Sequence, residues 1–93
     1  MASKKMMEMA KKYNLVEVTT TEELEYNWHI VVPFGDKVLL AGYFYQRGEN
    51  SFFAAVYGYA LGDRDIEAPI VLSAVSQEMF EDAGHALQWA MAQ

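Results

Sequence analysis

Two turn signals inside an unusually aromatic stretch constrain this chain more than any other feature. Residues 28–32, Trp-His-Ile-Val-Val, run into Pro33 and then into Phe34-Gly35-Asp36-Lys37. Proline has no N–H to give a ladder, so it marks the end of a strand core. A glycine-first pair suits a two-residue type II′ hairpin turn. Such a turn pairs Phe34 with Lys37, Val32 with Leu39, Ile30 with Ala41 and Trp28 with Tyr43. Downstream, residues 43–59 (YFYQRGENSFFAAVYGY) place seven rings in seventeen positions around Arg47-Gly48-Glu49-Asn50. Two more antiparallel strands, about 37–46 and 51–60, are the expected result.

The loop at 47–50 decides which rings share a face. A two- or four-residue loop pairs Tyr45 with Phe52, Tyr43 with Ala54 and Ala41 with Val56. Leu39, Ala41, Tyr43, Tyr45, Phe52, Ala54 and Val56 then share one face. Val38, Leu40, Phe44, Phe53, Ala55, Tyr57 and Tyr59 share the other. A three-residue loop with Asn50 left-handed shifts the register by one and exchanges the faces of the fourth strand. Tyr43, Tyr45, Phe53, Tyr57 and Tyr59 then lie together, opposite Phe44, Phe52 and Val56. The second arrangement is the expected one, because it keeps the phenol hydroxyls wet and sends a purely apolar face under a helix.

Helices flank this meander. Over 4–13, Met6, Met9, Ala10 and Tyr13 fall on one helical face, with Lys4, Lys5, Glu8, Lys11 and Lys12 opposite and Asn14 as a stop. Residues 15–18 alternate like a short strand. Thr20-x-x-Glu23 either caps a helical turn or belongs to a loop. Ile70-Val71-Leu72 suggests a last strand. Ser76 is a candidate N-cap for the C-terminal helix, with Val75 stapled to Phe80. Phe80, Ala83, Leu87, Ala90 and Met91 then share a face, and Trp89 lies on the opposite, polar side. The expected fold is α+β: one domain over residues 1–93, an antiparallel β-meander of four to five strands flanked by an N-terminal and a C-terminal α-helix.

Charge narrows the function classes. Residues 1–13 carry four lysines against one glutamate, a net +3, whereas residues 14–93 carry three basic and twelve acidic residues, a net −9. An acidic body lacks the cations that displace counterions from phosphates, so direct nucleic-acid binding is not expected. It suits a basic partner surface. There is no cysteine, so thiolate chemistry, disulfides and thiolate metal sites are excluded. No signal peptide or membrane-length apolar run is present, and a cytoplasmic protein is expected.

Chemistry-bearing motifs are sparse. No phosphate-binding glycine loop, nucleophile elbow or zincin helix appears. His85 with Asp82 or Glu81 makes an ordinary solvated pair. His29 has no partner in sequence. Asp63-x-Asp65-x-Glu67 lacks the glycine and the terminal glutamate of a calcium loop. The chain is therefore expected to be non-enzymatic, with no cofactor and no metal.

What remains is contact. The expected function is that of a small acidic protein-binding module, an inhibitor or regulator that occludes a partner protein. Shape and charge place it, as a class-level analogy, among immunity-protein-like and phage anti-defence proteins. The expected contact residues are Tyr43, Tyr45, Tyr57 and Tyr59, the indoles Trp28 and Trp89, and the acidic Glu22, Glu23 and Glu25. Trp89 either packs on a neighbouring segment or anchors the partner. A homodimer fits the same surplus of rings. The alternative is a small-ligand or effector domain with a pocket between the sheet tyrosines and the C-terminal helix.

Overall fold

The computed structural model describes residues 4–46 and 49–93. The first element, α1 (Lys4–Lys12), buries Ala10, and the chain just beyond it buries Tyr13. Asn14 ends the helix in the left-handed conformation, at φ 57°. Its N–H bonds the Lys11 carbonyl at 3.2 Å, and the Leu15 N–H reaches back to Ala10 at 2.8 Å. That pair of bonds is a Schellman closure, with asparagine where glycine more often stands.

The alternation over 15–18 does not form the first strand. It begins three residues later, as β1 (Val18–Thr20). Thr20 then caps α2 (Thr21–Asn27), its hydroxyl accepting from the Glu23 N–H at 3.1 Å. The helical-cap reading of Thr20-x-x-Glu23 is the one realised. After α2 come β2 (Ile30–Phe34), β3 (Lys37–Gln46), β4 (Glu49–Tyr59) and β5 (Pro69–Val75), then α3 (Ala83–Met91).

The five strands form one antiparallel sheet in the order β1-β5-β4-β3-β2. The meander from β2 to β5 is as expected, and β1 adds a short edge beside β5. The Gly35-Asp36 hairpin has the expected register, with Phe34 opposite Lys37, Val32 opposite Leu39 and Ile30 opposite Ala41. Trp28 precedes the strand, so its expected pairing with Tyr43 is not part of the ladder.

The aromatic hairpin corrects the favoured register. Gln46 pairs with Glu49, Tyr45 with Asn50 and Tyr43 with Phe52. Asn50 is thus a ladder residue and not a left-handed loop residue. Arg47 and Gly48 lie outside the described residues. An even number of residues separates the paired ends, so the tyrosines divide between faces as in the other expected arrangement. The pairings of that arrangement shift by two residues, with Tyr43 opposite Phe52 instead of Ala54 and Ala41 opposite Ala54 instead of Val56. Tyr43 and Tyr45 project with Leu39, Ala41, Phe52, Ala54 and Val56; Tyr57 and Tyr59 project with Val38, Leu40, Phe44, Phe53 and Ala55. The competing preference for keeping hydroxyls wet lost because burial of Phe53, Ala55 and Tyr57 is worth more than phenol hydration.

Each face has its own helix. α1 and the Tyr13 ring cover the side holding Val38, Leu40, Phe53, Ala55, Tyr57, Ile70 and Leu72. On the other side, Ala86 and Ala90 of α3 sit against Leu39, Ala41, Ala54 and Val56. Alanines at both contact positions bring the helix axis close to the sheet. Near its far end β5 takes a bulge at Ser73, whose hydroxyl donates to the Val56 carbonyl at 3.1 Å. The bulge lets Val75 point to the same side as Leu72 and Ile70.

The C-terminal helix starts later than expected. Ser76 is buried, bonding Ala54 through its own N–H (2.8 Å) and accepting from the Ala54 N–H on its hydroxyl (2.9 Å). Phe80 forms an isolated bridge with Phe52. The segment after β5 therefore continues alongside β4, and Ser76 spends its side chain on a strand instead of a cap. Asp82 caps α3, its Oδ1 accepting from the His85 N–H at 2.8 Å. With Phe80 off the helix, Trp89 does not lie on a polar face opposite it. The indole is half-buried against the α3-side core.

Candidate functional site

Two hollows meet at the Asn27–Trp28 junction, one on each side of the sheet. On the α1 side, a cavity of about 390 Å³ is lined by Tyr13, Asn14, Leu15, Val16, Thr19, Glu23, Leu24, Asn27, Trp28 and Tyr57. On the α3 side, an apolar groove of about 440 Å³ runs along Asn27, Trp28, His29, Ile30, Ala41, Tyr43 and Phe52. Both depend on where α2 ends. The Trp28 N–H closes α2 on the Leu24 carbonyl at 2.8 Å, and the chain then extends into β2.

The cavity is built on a ring stack. Phe53 lies face to face with Tyr13, centroids 4.0 Å apart and planes 4° from parallel, and edge-on to Trp28 at 5.3 Å. Gly42 makes room for it: a Cβ there would sit 2.3 Å from the Phe53 ring. Tyr57 is 0% exposed and donates to the Val16 carbonyl at 3.0 Å. Burial pushes its phenol up to about 12, and burial raises Tyr13 as well. Tyr57, expected as a contact residue, is therefore core. Tyr59 is half-buried against the same cluster.

Three carboxylates were expected to share a partner patch, and the structure separates them. Glu23 turns to the cavity, where Thr19 Oγ1 donates to its Oε2 at 2.7 Å. Glu22 and Glu25 are exposed on α2. Asn27, one turn after Glu23, donates from Nδ2 to the Glu23 backbone carbonyl at 3.0 Å.

The groove is lined by one of the two exposed tyrosines of β3, Tyr43; Tyr45 lies two residues farther along the same face, outside that lining. Tyr43 is 49% and Tyr45 64% exposed. Tyr43 meets Phe52 edge-on at 5.6 Å. Elsewhere, Trp89 borders a shallow cleft of about 210 Å³ with Met6, Met9 and residues of the β5 edge. Of the two weighed roles, packing on neighbouring segments accounts for its burial.

The remaining polar motifs are spent locally. Asp63 Oδ1 accepts from the Asp65 N–H at 3.1 Å, and Asp65 Oδ1 from the Glu67 N–H at 3.2 Å. These are side-chain turns within the loop. His85 Nδ1 lies 3.0 Å from Asp82 Oδ2 on an exposed surface. The His85 backbone N–H, ahead of the imidazole, lowers the Asp82 carboxyl below its usual value. That cap is fully formed above the ordinary carboxylate range and weakens as pH falls through the depressed value. No group of three or more metal-ligating side chains converges among the described residues. No described helix is long and apolar enough to cross a membrane.

A family model described as "Nucleotide modification associated domain 4" matches residues 15–93. The chain belongs to that family. No curated protein and no solved structure matches it. The matched span of this nucleotide modification associated domain takes in all five strands, α2 and α3, and so the whole groove. The cavity straddles its limit, because Tyr13 and Asn14 precede residue 15. Neither hollow was legible as a pocket in the sequence. Glu23 and Asn27, four apart on a short capped helix, were the available signal for the polar wall.

Proposed function

We propose that this chain is a non-catalytic protein-binding module that serves the nucleotide-modification setting named for its family, regulating a partner protein by occupying part of its surface. The observation that carries the reading is the end of the α3-side face. α3 packs on Leu39, Ala41, Ala54 and Val56, while farther along β3 Tyr43, which lines an apolar groove, and Tyr45, outside that lining on the same face, stay 49% and 64% exposed. Tyrosine suits such a surface, since it brings large, rigid, half-polar contact area with few rotamers to freeze.

Charge selects the partner. The groove begins at the end of α2, whose Glu22 and Glu25 are exposed, and residues 14–93 carry a net −9. A basic rim around an apolar knob complements that layout and speeds encounter. The tyrosine-lined cavity lies on the opposite side of the sheet.

A photo-cross-linking amino acid at position 45, in the cell that natively carries the chain, tests this reading. One discrete adduct with a different, basic protein is expected. The same probe at exposed position 67, near the opposite end of β4, should yield none. Adducts from both positions, from neither, or with a second copy of this chain would overturn it.

A further inference from the structure

β2 presents an open, uncharged edge. It ends the strand order, so one side of its backbone has no neighbouring strand. The other terminal strand, β1, is only 3 residues long and runs straight into α2. β2 instead reads Ile-Val-Val-Pro-Phe, and Val32 and Phe34 are 37% and 45% exposed. Edge strands of folded proteins are ordinarily short, charged or covered, because an open apolar edge recruits another strand.

The hairpin turn fixes which backbone groups face outward. Gly35 has φ 61°, and Phe34 pairs with Lys37 across a two-residue turn. Residues flanking such a turn exchange both of their bonds, and the alternation runs back along the strand. Phe34, Val32 and Ile30 therefore turn their backbone groups to β3. Those of Val31 point away from the sheet. Pro33 takes the other outward position, where a missing N–H leaves the ladder to β3 intact. Among the described residues, no turn or loop bond reaches Val31 or Pro33. The edge thus offers a donor and an acceptor at Val31, and an acceptor alone at Pro33.

Charge selects what pairs there. Asp36 is exposed at the turn that closes one end of β2, and Glu25 is exposed near the end of α2, which leads into the other. The neighbouring Lys37 is engaged, its Nζ donating to the Gln93 carbonyl. A second copy pairing about a two-fold axis at Val31 would bring each Asp36 turn toward the other copy's Glu25, acid against acid. A strand with a basic residue at either end meets an acid at both. Its side chain beside Ile30 also lies at the wall of the groove that Trp28 and Ile30 line.

We propose that the outer edge of β2 receives a β-strand of the partner protein, an apolar segment with a basic residue at each end, held through the Val31 N–H and C=O beside the groove. The inference rests on the reading of this chain as a module for a basic partner, and adds how that partner is gripped. Proline at position 31 isolates the backbone contribution. Like Pro33, it removes an outward N–H and leaves the β3 ladder whole. Val31→Ala is its companion: it trims the side chain that packs on the α1-side core and keeps the N–H.

The partner identified from the position-45 adduct is titrated onto these variants. Val31→Ala is expected to bind within about threefold of the parent, and Val31→Pro about tenfold or more weakly, because a partner carbonyl loses its donor. Both should keep the far-ultraviolet circular dichroism of the parent. Glu25→Lys combined with Asp36→Lys should weaken binding by about tenfold. The photo-cross-linking residue placed at position 32 should give the same adduct as position 45. No adduct from position 45 removes the reading and this inference together. With that adduct in hand, equal binding of Val31→Pro and Val31→Ala overturns the inference alone. So does unfolding of Val31→Pro but not Val31→Ala, unchanged binding in the doubly substituted chain, or an adduct from position 32 with a second copy.

Discussion

Replacing Phe53 by alanine is expected to cost about 3–5 kcal/mol, a large part of the roughly 5–15 kcal/mol that holds a small domain together. The ring is 0% exposed. It stacks on Tyr13 at 4.0 Å and takes the Trp28 edge at 5.3 Å, so its loss empties the centre of the α1-side core. A second substitution tests the geometry directly. Gly42 faces the same ring across the β3–β4 pair, and its added Cβ would lie 2.3 Å from Phe53 Cε1 and Cζ. Both faces of Phe53 are thus occupied, and the ring has nowhere to retreat. Gly42→Ala in the parent is expected to cost about 1–3 kcal/mol through overpacking. In a Phe53→Ala background the clash disappears, and the alanine should become neutral or stabilising by up to about 1 kcal/mol, since glycine weakens a strand. Urea unfolding of the four proteins gives the coupling free energy. Additive effects would show that the ring does not sit over Gly42.

Alkaline unfolding should depend strongly on Tyr57. Its phenol is raised to about 12 by burial, against about 10 in the unfolded chain. A raised folded value means that the contribution is fully present below about pH 10. It is lost as pH rises, since the unfolded chain gives up its proton first. Across the window from 10 to 12 the loss amounts to about 3 kcal/mol for this residue alone. Tyr57→Phe should cost about 1 kcal/mol at neutral pH, because the Val16 carbonyl loses its donor. In return, the urea midpoint of the variant should fall much less steeply above pH 10. A residual slope is expected from Tyr13, which burial shifts in the same direction. Equal alkaline slopes in the parent and Tyr57→Phe would contradict the burial of this hydroxyl.

These two residues also show how far local chemistry carries. The face shared by Val38, Leu40, Phe44, Phe53, Ala55, Tyr57 and Tyr59 follows from strand alternation once the loop length is known. The alternation itself is written in the chain. The loop length is not, because Arg47-Gly48-Glu49-Asn50 suits connections of either parity, and the energy that separates them lies in what covers each face. Preferring wet tyrosines put Tyr57 at the surface. The structure puts it under the segment leading into β1, where its hydroxyl finds a backbone carbonyl and burial becomes affordable. The partner surface contracts accordingly, from four tyrosines to Tyr43 and Tyr45.

The C-terminal helix errs in an instructive way. Ser76 and Asp82 are both good caps. Choosing between them requires knowing that β4 extends past β5 and recruits Ser76 and Phe80 into its edge. A helix cap competes with a strand partner some twenty residues distant, and no window of sequence contains both.

Sequence alone determined the elements whose causes are local: the Gly35-Asp36 hairpin and its register, the methionine-faced α1 stopped at Asn14 and the α+β meander between two helices. Each depends on side chains within a few residues of the effect. Tertiary structure alone decided the parity of the aromatic hairpin, the start of α3 and the paired hollows at Asn27–Trp28. Those features balance burial on one face against burial on the other, and that balance exists only when all five strands are in place.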